Sequence, residues 1–307
     1  MCGIFGVNAK YSVINPILDG LTKLEYRGYD SSGIAVIDEN KEIRTIRSKG
    51  KLFNLKKKIN QIKIFGKIGI GHTRWATHGV PSTTNAHPHT SDKVSIVHNG
   101  IIENYSSLKK QLQKKGYNFK SQTDSEVIAH LLSDELKNHT AEIAIKMTLS
   151  KLEGAFAIAI IFKDRHLLAG ARKGSPLAVG VSDDATFIGS DSVALAPFTK
   201  KIIFLEEGDS VFIQEKELKI YNEEFNEVKR PITYSSYTKD NLDKGNFDHF
   251  MQKEIFEQPH VVGDSLSRFV DPINKIINIP DLKINWKKIS KINFIACGTS
   301  FFACQVA

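Results

Sequence analysis

The chain has 307 residues, of which 41% are hydrophobic and 25% charged, an ordinary composition for a folded globular protein. The formal net charge is +8, but the lysines are spread along the chain, which argues against nucleic acid as a partner. There are three cysteines, no apolar run of the roughly 18–20 residues that cross a bilayer, and no signal peptide. These features exclude a disulfide scaffold and a membrane span, and they predict a cytoplasmic protein.

Short apolar segments bounded by Gly, Asp or Ser predict strands, and amphipathic segments between them predict helices. The predicted strands are residues 3–7, 33–37, 68–72, 94–98, 155–162, 166–171, 177–181, 186–189, 202–205 and 210–214. The predicted helices are residues 16–24, 52–62, 104–115, 125–134 and 140–151. The helices cluster in the first half and show no regular βαβ alternation, so we predict an α+β fold with large, mainly antiparallel sheets.

Beyond residue 220 the composition changes. We predict a domain over residues 2–220, a polar linker over 221–246 and a helical connector over 247–290, with a helix at 247–269. Residues 291–307 then predict a strand (291–296), a turn (298–300) and the start of a helix, which is the beginning of a second, incomplete domain. A strand that leads through a turn into a helix N-terminus is a common anion-binding arrangement.

Cys2 is the most informative single residue. Removal of Met1 would leave a thiol and a free α-amine on the same residue. Because an α-amine has a pKa of roughly 7.7–8.0, it can take the thiol proton at neutral pH and activate the nucleophile. The alternative is that Cys2 only begins a buried strand, since free cysteine packs as a small hydrophobic residue.

Further motifs fit a cysteine amidohydrolase. Asn99 and Gly100 can supply hydrogen-bond donors to an oxyanion. Arg74 can bind an α-carboxylate through its planar fork, and Asp124 can pair with an α-ammonium. Each has a simpler interpretation, because Asn-Gly is a common turn signal and Asp124 could begin a helix as its N-cap.

Metal binding is an alternative interpretation of this region, because the region is rich in histidine. The residues concerned are His72, His78, His87, His89 and His98. None of them has the spacing of a zinc motif, and no cysteine or carboxylate stands nearby at ligand spacing. We therefore predict no metal and no cofactor.

Taken together, the motifs resemble the glutamine amidotransferase half of the glucosamine-6-phosphate synthases. The matching stretches are CGIFGV, LEYRGYDSSG, HTRWATHG, NAHPH, VHNGIIENY, TDSEVIAHL, FLEEGD, MQKEIFEQP and ACGTS, in the order of the family. They cover nearly the whole chain. The resemblance implies the four-layer αββα sandwich of the N-terminal nucleophile hydrolases.

The resemblance also implies roles for individual residues. Cys2 would be the nucleophile, with Asn99 and Gly100 as the oxyanion hole. Trp75 would be the gate between the glutaminase site and an ammonia channel. The glutamine site would comprise Arg74, Thr77, His78, His87, His98 and Asp124, with Arg27 in a supporting role. Thr299 and Ser300 match the first sugar-phosphate loop, whose remaining ligands lie outside this sequence.

The resemblance implies L-glutamine as substrate, hydrolysed through a Cys2 thioester. Fructose 6-phosphate would be bound, and glucosamine 6-phosphate made, only if the isomerase half were supplied. A second polypeptide carrying the sugar-isomerase domains is one source, and another acceptor partner supplied in trans stays open. The alternative is a catalytically idle remnant of a split or decaying gene.

Overall fold

The computed structural model describes residues 2–214, 217–235, 246–267, 269–271, 276–277 and 284–306. The chain divides into two compact units, Met1–Leu242 and Asp243–Ala307. No helix among the described residues has the length and apolar character that crossing a membrane requires.

Two antiparallel sheets form the centre of the first unit. Their strands are β1 (Gly3–Ala9), β2 (Ser31–Ile37), β3 (Ile43–Lys49), β4 (Ile68–Arg74), β5 (His89–Ser91), β6 (Val94–Ile102), β7 (Gly154–Phe162), β8 (Leu167–Lys173), β9 (Ala178–Val181), β10 (Ala185–Gly189), β11 (Lys201–Phe204), β12 (Ser210–Gln214), β13 (Glu217–Tyr221), β14 (Glu227–Val228) and β15 (Ile232–Tyr234). The eight-stranded sheet has the order β15-β11-β9-β10-β1-β4-β2-β3. The seven-stranded sheet has the order β14-β13-β12-β8-β7-β6-β5.

Helices cover the outer faces of both sheets. They are α1 (Ile14–Leu24), α2 (Leu52–Ile59), α3 (Tyr105–Lys114), α4 (Glu126–Glu135), α5 (Ala141–Leu149) and α6 (Ser192–Leu195). One apolar cluster joins α1, α2 and α6 to the eight-stranded sheet, and a second joins α3, α4 and α5 to the seven-stranded sheet.

A third apolar cluster lies between the two sheets and includes Ile4, Val97 and Leu168. Neighbouring side chains on a strand point to opposite faces, so Phe5 packs in the α1 cluster while Ile4 packs between the sheets. The four layers are therefore helices, sheet, sheet and helices, which confirms the predicted αββα sandwich.

Part of the segment predicted as a linker, residues 221–246, belongs to the sheets. Strand β14 pairs with β13, and β15 pairs with β11 at the edge of the larger sheet. Arg230, between them, donates two hydrogen bonds of 2.8 and 2.9 Å to the carboxylate of Asp209, which is fully buried. The remaining domain boundaries stay a prediction.

The second unit contains α7 (Phe250–Ser267), β16 (Val270–Asp271), β17 (Ile276–Ile277) and α8 (Gly298–Val306). The strand predicted at residues 291–296 is wrong, because this segment forms neither helix nor strand. Ile292, Phe294 and Ile295 are exposed there. A strand needs a hydrogen-bonded neighbour, and no strand of the described residues pairs with this one.

Candidate active site

Cys2 lies directly before β1, in the middle of the eight-stranded sheet, where β1 is flanked by β4 and β10. The backbone N–H of Trp75 donates to the Cys2 sulfur at 3.2 Å, and the thiol donates to the Trp75 carbonyl at 3.4 Å. Both bonds come from the residue that follows β4. The position of the sulfur is therefore fixed by backbone atoms of the residue directly after the neighbouring strand.

The Cys2 thiol is not activated by its surroundings alone. Burial raises its pKa above the ordinary value, and the hydrogen bond from Trp75 only partly opposes that shift. At neutral pH the group is therefore mainly the thiol, while the thiolate is the nucleophile. A proton acceptor beside the sulfur is required for attack, as the sequence argument from the α-amine predicts.

Asn99 and Gly100 lie inside β6 rather than in a turn, so the turn interpretation of Asn-Gly does not hold. The Asn99 side-chain nitrogen donates to the carbonyl of Cys2 at 3.0 Å, which places the amide beside the candidate nucleophile. Gly100 has φ +128°, and a Cβ there would stand 2.0 Å from the carbonyl oxygen of Ala155 on β7. Only glycine fits at this point of the sheet.

Arg74 ends β4 and is buried. One guanidinium nitrogen, Nη2, donates to the carbonyls of His78 and Gly79, which holds the loop after β4 in place. The other, Nη1, is buried and has no hydrogen-bond partner among the described residues. Since a buried donor without a partner costs free energy, Nη1 is available for an anionic ligand.

Asp124 is also buried and does not act as an N-cap, because α4 begins after Ser125 and has no side-chain cap. Its Oδ2 accepts a hydrogen bond from the backbone N–H of Ile102, at the end of β6, at 2.8 Å. Its Oδ1 accepts only a long bond of 3.4 Å from Ser125 Oγ. The carboxylate is thus tied to the strand that carries Asn99 and has an oxygen free to bind a cation.

The loop after β4 carries three further predicted residues. Trp75 is 45% exposed, and its ring meets the edge of Tyr29 at a centroid distance of 5.6 Å. Thr77 is exposed, and His78 is half-buried. Asp30 accepts a hydrogen bond of 2.8 Å from the backbone N–H of Ala76, so its carboxylate holds this loop against the start of β2.

A cluster of buried histidines lies beside these residues. Burial lowers the pKa of His72 and His89 to about 3 and that of His98 to about 4, and the pKa of His87 lies well below its ordinary value. The rings are neutral at neutral pH. The His87 ring packs on His72 at 4.2 Å, and His98 Nδ1 hydrogen-bonds Ser125 Oγ at 2.8 Å. In the part of the chain that the structure describes, no group of three or more His, Cys, Asp or Glu residues could hold a metal ion.

Cys2 precedes β1, Arg74 ends β4, Asn99 and Gly100 lie in β6 and Asp124 precedes α4. His87 precedes β5, and Arg27, predicted in a supporting role, forms an ion pair of 2.7 Å with Asp191. Thr299 and Ser300 lie at the start of α8 in the second unit. Sequence reasoning missed the supporting contacts of His72, Asp30 and Ser125. All three lie within the quoted motifs LEYRGYDSSG, HTRWATHG and TDSEVIAHL. Of the three, only His72 was considered individually, as a metal ligand, so their supporting roles had no signal beyond residue type.

Comparison with known proteins agrees with this architecture. Residues 72–197 match the model of a glutamine amidotransferase domain. The chain is 48% identical over 305 residues to the glutamine–fructose-6-phosphate aminotransferase (isomerizing) of Mesorhizobium japonicum, an alignment that covers 99% of this chain and 50% of the relative. It is 45% identical to the enzyme of the same name from Zymomonas mobilis, with 100% and 51% covered.

Among solved structures, the glutamine phosphoribosylpyrophosphate amidotransferase of B. subtilis matches with a TM-score of 0.64 and 28% identity. That match covers 74% of this chain and 50% of the other. The comparisons therefore place a glutamine amidotransferase domain in this chain, with the fold of the N-terminal nucleophile amidotransferases. Within that class, the chain corresponds over its whole length to about half of the isomerizing glutamine–fructose-6-phosphate aminotransferases.

Proposed function

We propose that this chain hydrolyses L-glutamine to glutamate and ammonia through a thioester on Cys2. The observation that carries the proposal is the hydrogen bond of 3.0 Å from Asn99 Nδ2 to the Cys2 carbonyl oxygen. The Cys2 sulfur itself accepts a hydrogen bond from the backbone N–H of Trp75. A nucleophile and a hydrogen-bond donor for an oxyanion therefore stand on adjacent elements of a rigid scaffold.

In the first step, the Cys2 sulfur attacks the side-chain amide carbon of glutamine. The carbonyl oxygen becomes an oxyanion and receives hydrogen bonds from Asn99 Nδ2 and the backbone N–H of Gly100. The C–N bond then breaks, and the nitrogen leaves as ammonia with the proton taken from the thiol. Water next attacks the thioester, which releases glutamate and restores the thiol.

The base is the α-amine that Cys2 acquires when Met1 is removed. Burial raises the pKa of the thiol, so attack requires a base, and the neighbouring α-amine, with a pKa of roughly 7.7–8.0, is partly unprotonated at neutral pH and can accept the proton. Retention of Met1 would block this amine. An intact-mass spectrum that shows uncleaved Met1 in an active sample would contradict this part of the proposal.

Glutamine is recognised as a zwitterion. Its α-carboxylate binds the unpartnered Nη1 of Arg74, and its α-ammonium binds Oδ1 of Asp124. Both groups are buried, so water competes little for either one. Thr77 and His78 complete the site from the loop after β4, and His87 and His98 support it from the interior.

The relatives that match this chain are about twice its length, so the transfer of ammonia to a sugar phosphate requires a further domain. We propose fructose 6-phosphate as the acceptor, with Thr299 and Ser300 as the start of its phosphate loop and Trp75 as the gate for ammonia. The sugar-isomerase domains would come from a longer form of this chain or from a second polypeptide. The rarity of cysteine fits a cytoplasmic setting.

The test is glutamate release from glutamine by the purified, Met1-free chain, with and without fructose 6-phosphate, beside a Cys2→Ala variant. Release that disappears in Cys2→Ala supports the thioester mechanism, and release that survives the substitution contradicts it. A folded, Met1-free chain that releases no glutamate would favour an idle remnant. Recombination with a separate sugar-isomerase domain then distinguishes a remnant from a half-enzyme that needs its partner.

A further inference from the structure

The Asn99 carboxamide can serve an oxyanion only in one of its two orientations, because only its NH2 group donates. In the structure Nδ2 donates one hydrogen to the Cys2 carbonyl at 3.0 Å, which leaves the second for a ligand. The other end of the amide, Oδ1, lies 3.0 Å from Nε2 of His72. His72 is on β4 and Asn99 is on β6, so this contact joins the two sheets.

The protonation of His72 follows from a second contact. Its Nε2 also lies 3.0 Å from the backbone carbonyl of His98, and a carbonyl oxygen can only accept. Nε2 therefore carries the hydrogen and donates to both oxygens. A flipped Asn99 amide would set its NH2 group against this N–H, donor against donor, in a buried position where water cannot relieve the conflict.

The described residues around His72 give its ring no competing hydrogen bond. The side chain is fully buried, its Nδ1 has no hydrogen-bond partner among the described residues, and the His87 ring packs on it. Burial also holds the pKa of His72 near 3, so the ring stays neutral throughout the pH range of an enzyme assay. The Nε2–H donor is consequently a fixed part of the interior.

We propose that His72 is a positioning residue that fixes the orientation of Asn99 and thereby prepares the oxyanion hole before glutamine binds. The inference rests on the proposed glutaminase function and adds a residue to it. His72 does not touch the substrate; it acts through Asn99 alone. His72 should therefore stabilise the transition state, in which the oxyanion forms, and should have little influence on the affinity for glutamine.

Two substitutions whose side chains differ in length test this role. His72→Gln places an amide N–H2 near the position of Nε2, whereas His72→Asn is shorter and places it near Nδ1. We expect His72→Gln to keep kcat within about fivefold, and His72→Asn to lower it about 10- to 100-fold with KM for glutamine changed less than about threefold. Equal losses in both variants, or a loss confined to KM, would overturn the inference.

A double-mutant cycle separates positioning from damage to the fold. In an Asn99→Ala background, His72→Asn should lower kcat by less than about twofold further, because the group it positions is gone. Undiminished loss in that background would contradict the role. His130→Asn is the matched control: His130 is also buried but hydrogen-bonds Ser91 at 2.8 Å, and its substitution should leave kcat within about twofold.

The tautomer provides a readout that needs no activity. In a chain labelled with ¹⁵N-histidine, NMR should show hydrogen on Nε2 of His72 and none on Nδ1. Hydrogen on Nδ1 would overturn the inference even in an active enzyme. If the wild-type chain releases no glutamate, the proposed glutaminase activity of this chain alone fails, and the NMR result still decides whether His72 presents the N–H donor that the orientation of Asn99 requires.

Discussion

The two terminal nitrogens of the Arg74 guanidinium have different surroundings. Nη2 holds the loop after β4 through the carbonyls of His78 and Gly79, while Nη1 is buried without a partner among the described residues. The same group therefore holds this loop and keeps a charged donor available for a ligand. This division explains why a planar guanidinium is needed, since a lysine cannot bind in two fixed directions at once.

We expect Arg74→Ala to raise KM for glutamine about 10- to 150-fold, which corresponds to about 1.5–3 kcal/mol for a hydrogen bond to a charged group. Steady-state kinetics of glutamate release measure this directly. Arg74→Lys is the matched control: it keeps the charge but not the fork, and should recover only part of the loss. An unchanged KM in Arg74→Ala would remove Arg74 from carboxylate binding.

At the residue scale, the sequence singled out candidate side chains but not the contacts that support them. Cys2, Arg74, Asn99 and Asp124 were identified by chemistry, because a nucleophile, an oxyanion donor and a pair of opposite charges are each recognisable residue types. His72 and Asn99 are 27 residues apart and meet across two sheets. No spacing along the chain indicates such a contact, so the support of the oxyanion donor could be found only in the structure.

At the element scale, β6 carries the candidate oxyanion hole, and its close approach to β7 restricts it to glycine at position 100. Gly100→Ala combines an unfavourable positive φ with a Cβ 2.0 Å from the Ala155 carbonyl. We expect it to destabilise the fold by about 2–5 kcal/mol and to reduce glutamate release strongly. Urea unfolding and activity assays measure the two effects.

Gly116 provides the control for Gly100. It also has a positive φ, +91°, but a Cβ at that position would meet nothing within 4 Å. Gly116→Ala should therefore cost only about 1–2 kcal/mol of backbone strain and leave activity intact. Equal destabilisation in the two variants would show that close packing against β7 is not what restricts position 100.

The elements themselves were predicted with uneven success, for physical reasons. The buried strand β7, GAFAIAIIF, is a continuous apolar run, and it was predicted. Strand β3, at the edge of the larger sheet, has the sequence IRTIRSK, whose apolar residues do not alternate with period two; it is mostly half-buried, and it was missed. The segment 291–296 has a strand composition without a neighbouring strand in the described residues, so composition alone gave a wrong prediction there.

At the scale of the molecule, Arg230 ties the end of the first unit to its interior. Asp209 is fully buried and its charge is balanced by the two hydrogen bonds from Arg230. A chain that ends at residue 220 removes this partner, and an unpaired buried charge costs about 3–5 kcal/mol. We expect that fragment to be much less stable in urea than one that ends at residue 242.

The Arg230→Ala variant of the full chain tests the cause of that difference. It should reproduce most of the loss, because it removes the guanidinium while keeping β14 and β15. If the variant is as stable as the wild type, the shorter fragment fails for another reason, such as the loss of strand pairing at the sheet edges.

The buried histidines make the stability of the whole unit depend on pH. His72, His89 and His98 have folded pKa values of about 3, 3 and 4, whereas in the unfolded chain they titrate near about 6.5. At pH values between the folded and the unfolded pKa, the unfolded state binds more protons than the folded state. Stability is therefore fully present above about pH 6.5 and is lost as the pH falls, by about 2 kcal/mol per histidine at pH 5.

Urea unfolding at pH 7.5 and pH 5 measures this loss. Glu126 adds little to this difference in stability. Burial opposes its ionisation, but hydrogen bonds lower its pKa to about 2, so its protonation changes the stability only in more acidic solution. A His98→Gln variant should lose less stability on acidification than the wild type. Equal stability at the two pH values would contradict neutral burial of these rings.

The place of Cys2 at the head of a central strand also constrains how the protein is made. Strand β1 is synthesised before both of its neighbours, β4, which begins at Ile68, and β10, which begins at Ala185. Strand β1 therefore lacks both neighbours until β4 and β10 have been made, and Met1 can be removed in this interval. We expect chains that fold with Met1 in place to resist later trimming by a methionine aminopeptidase, which intact-mass measurements would detect.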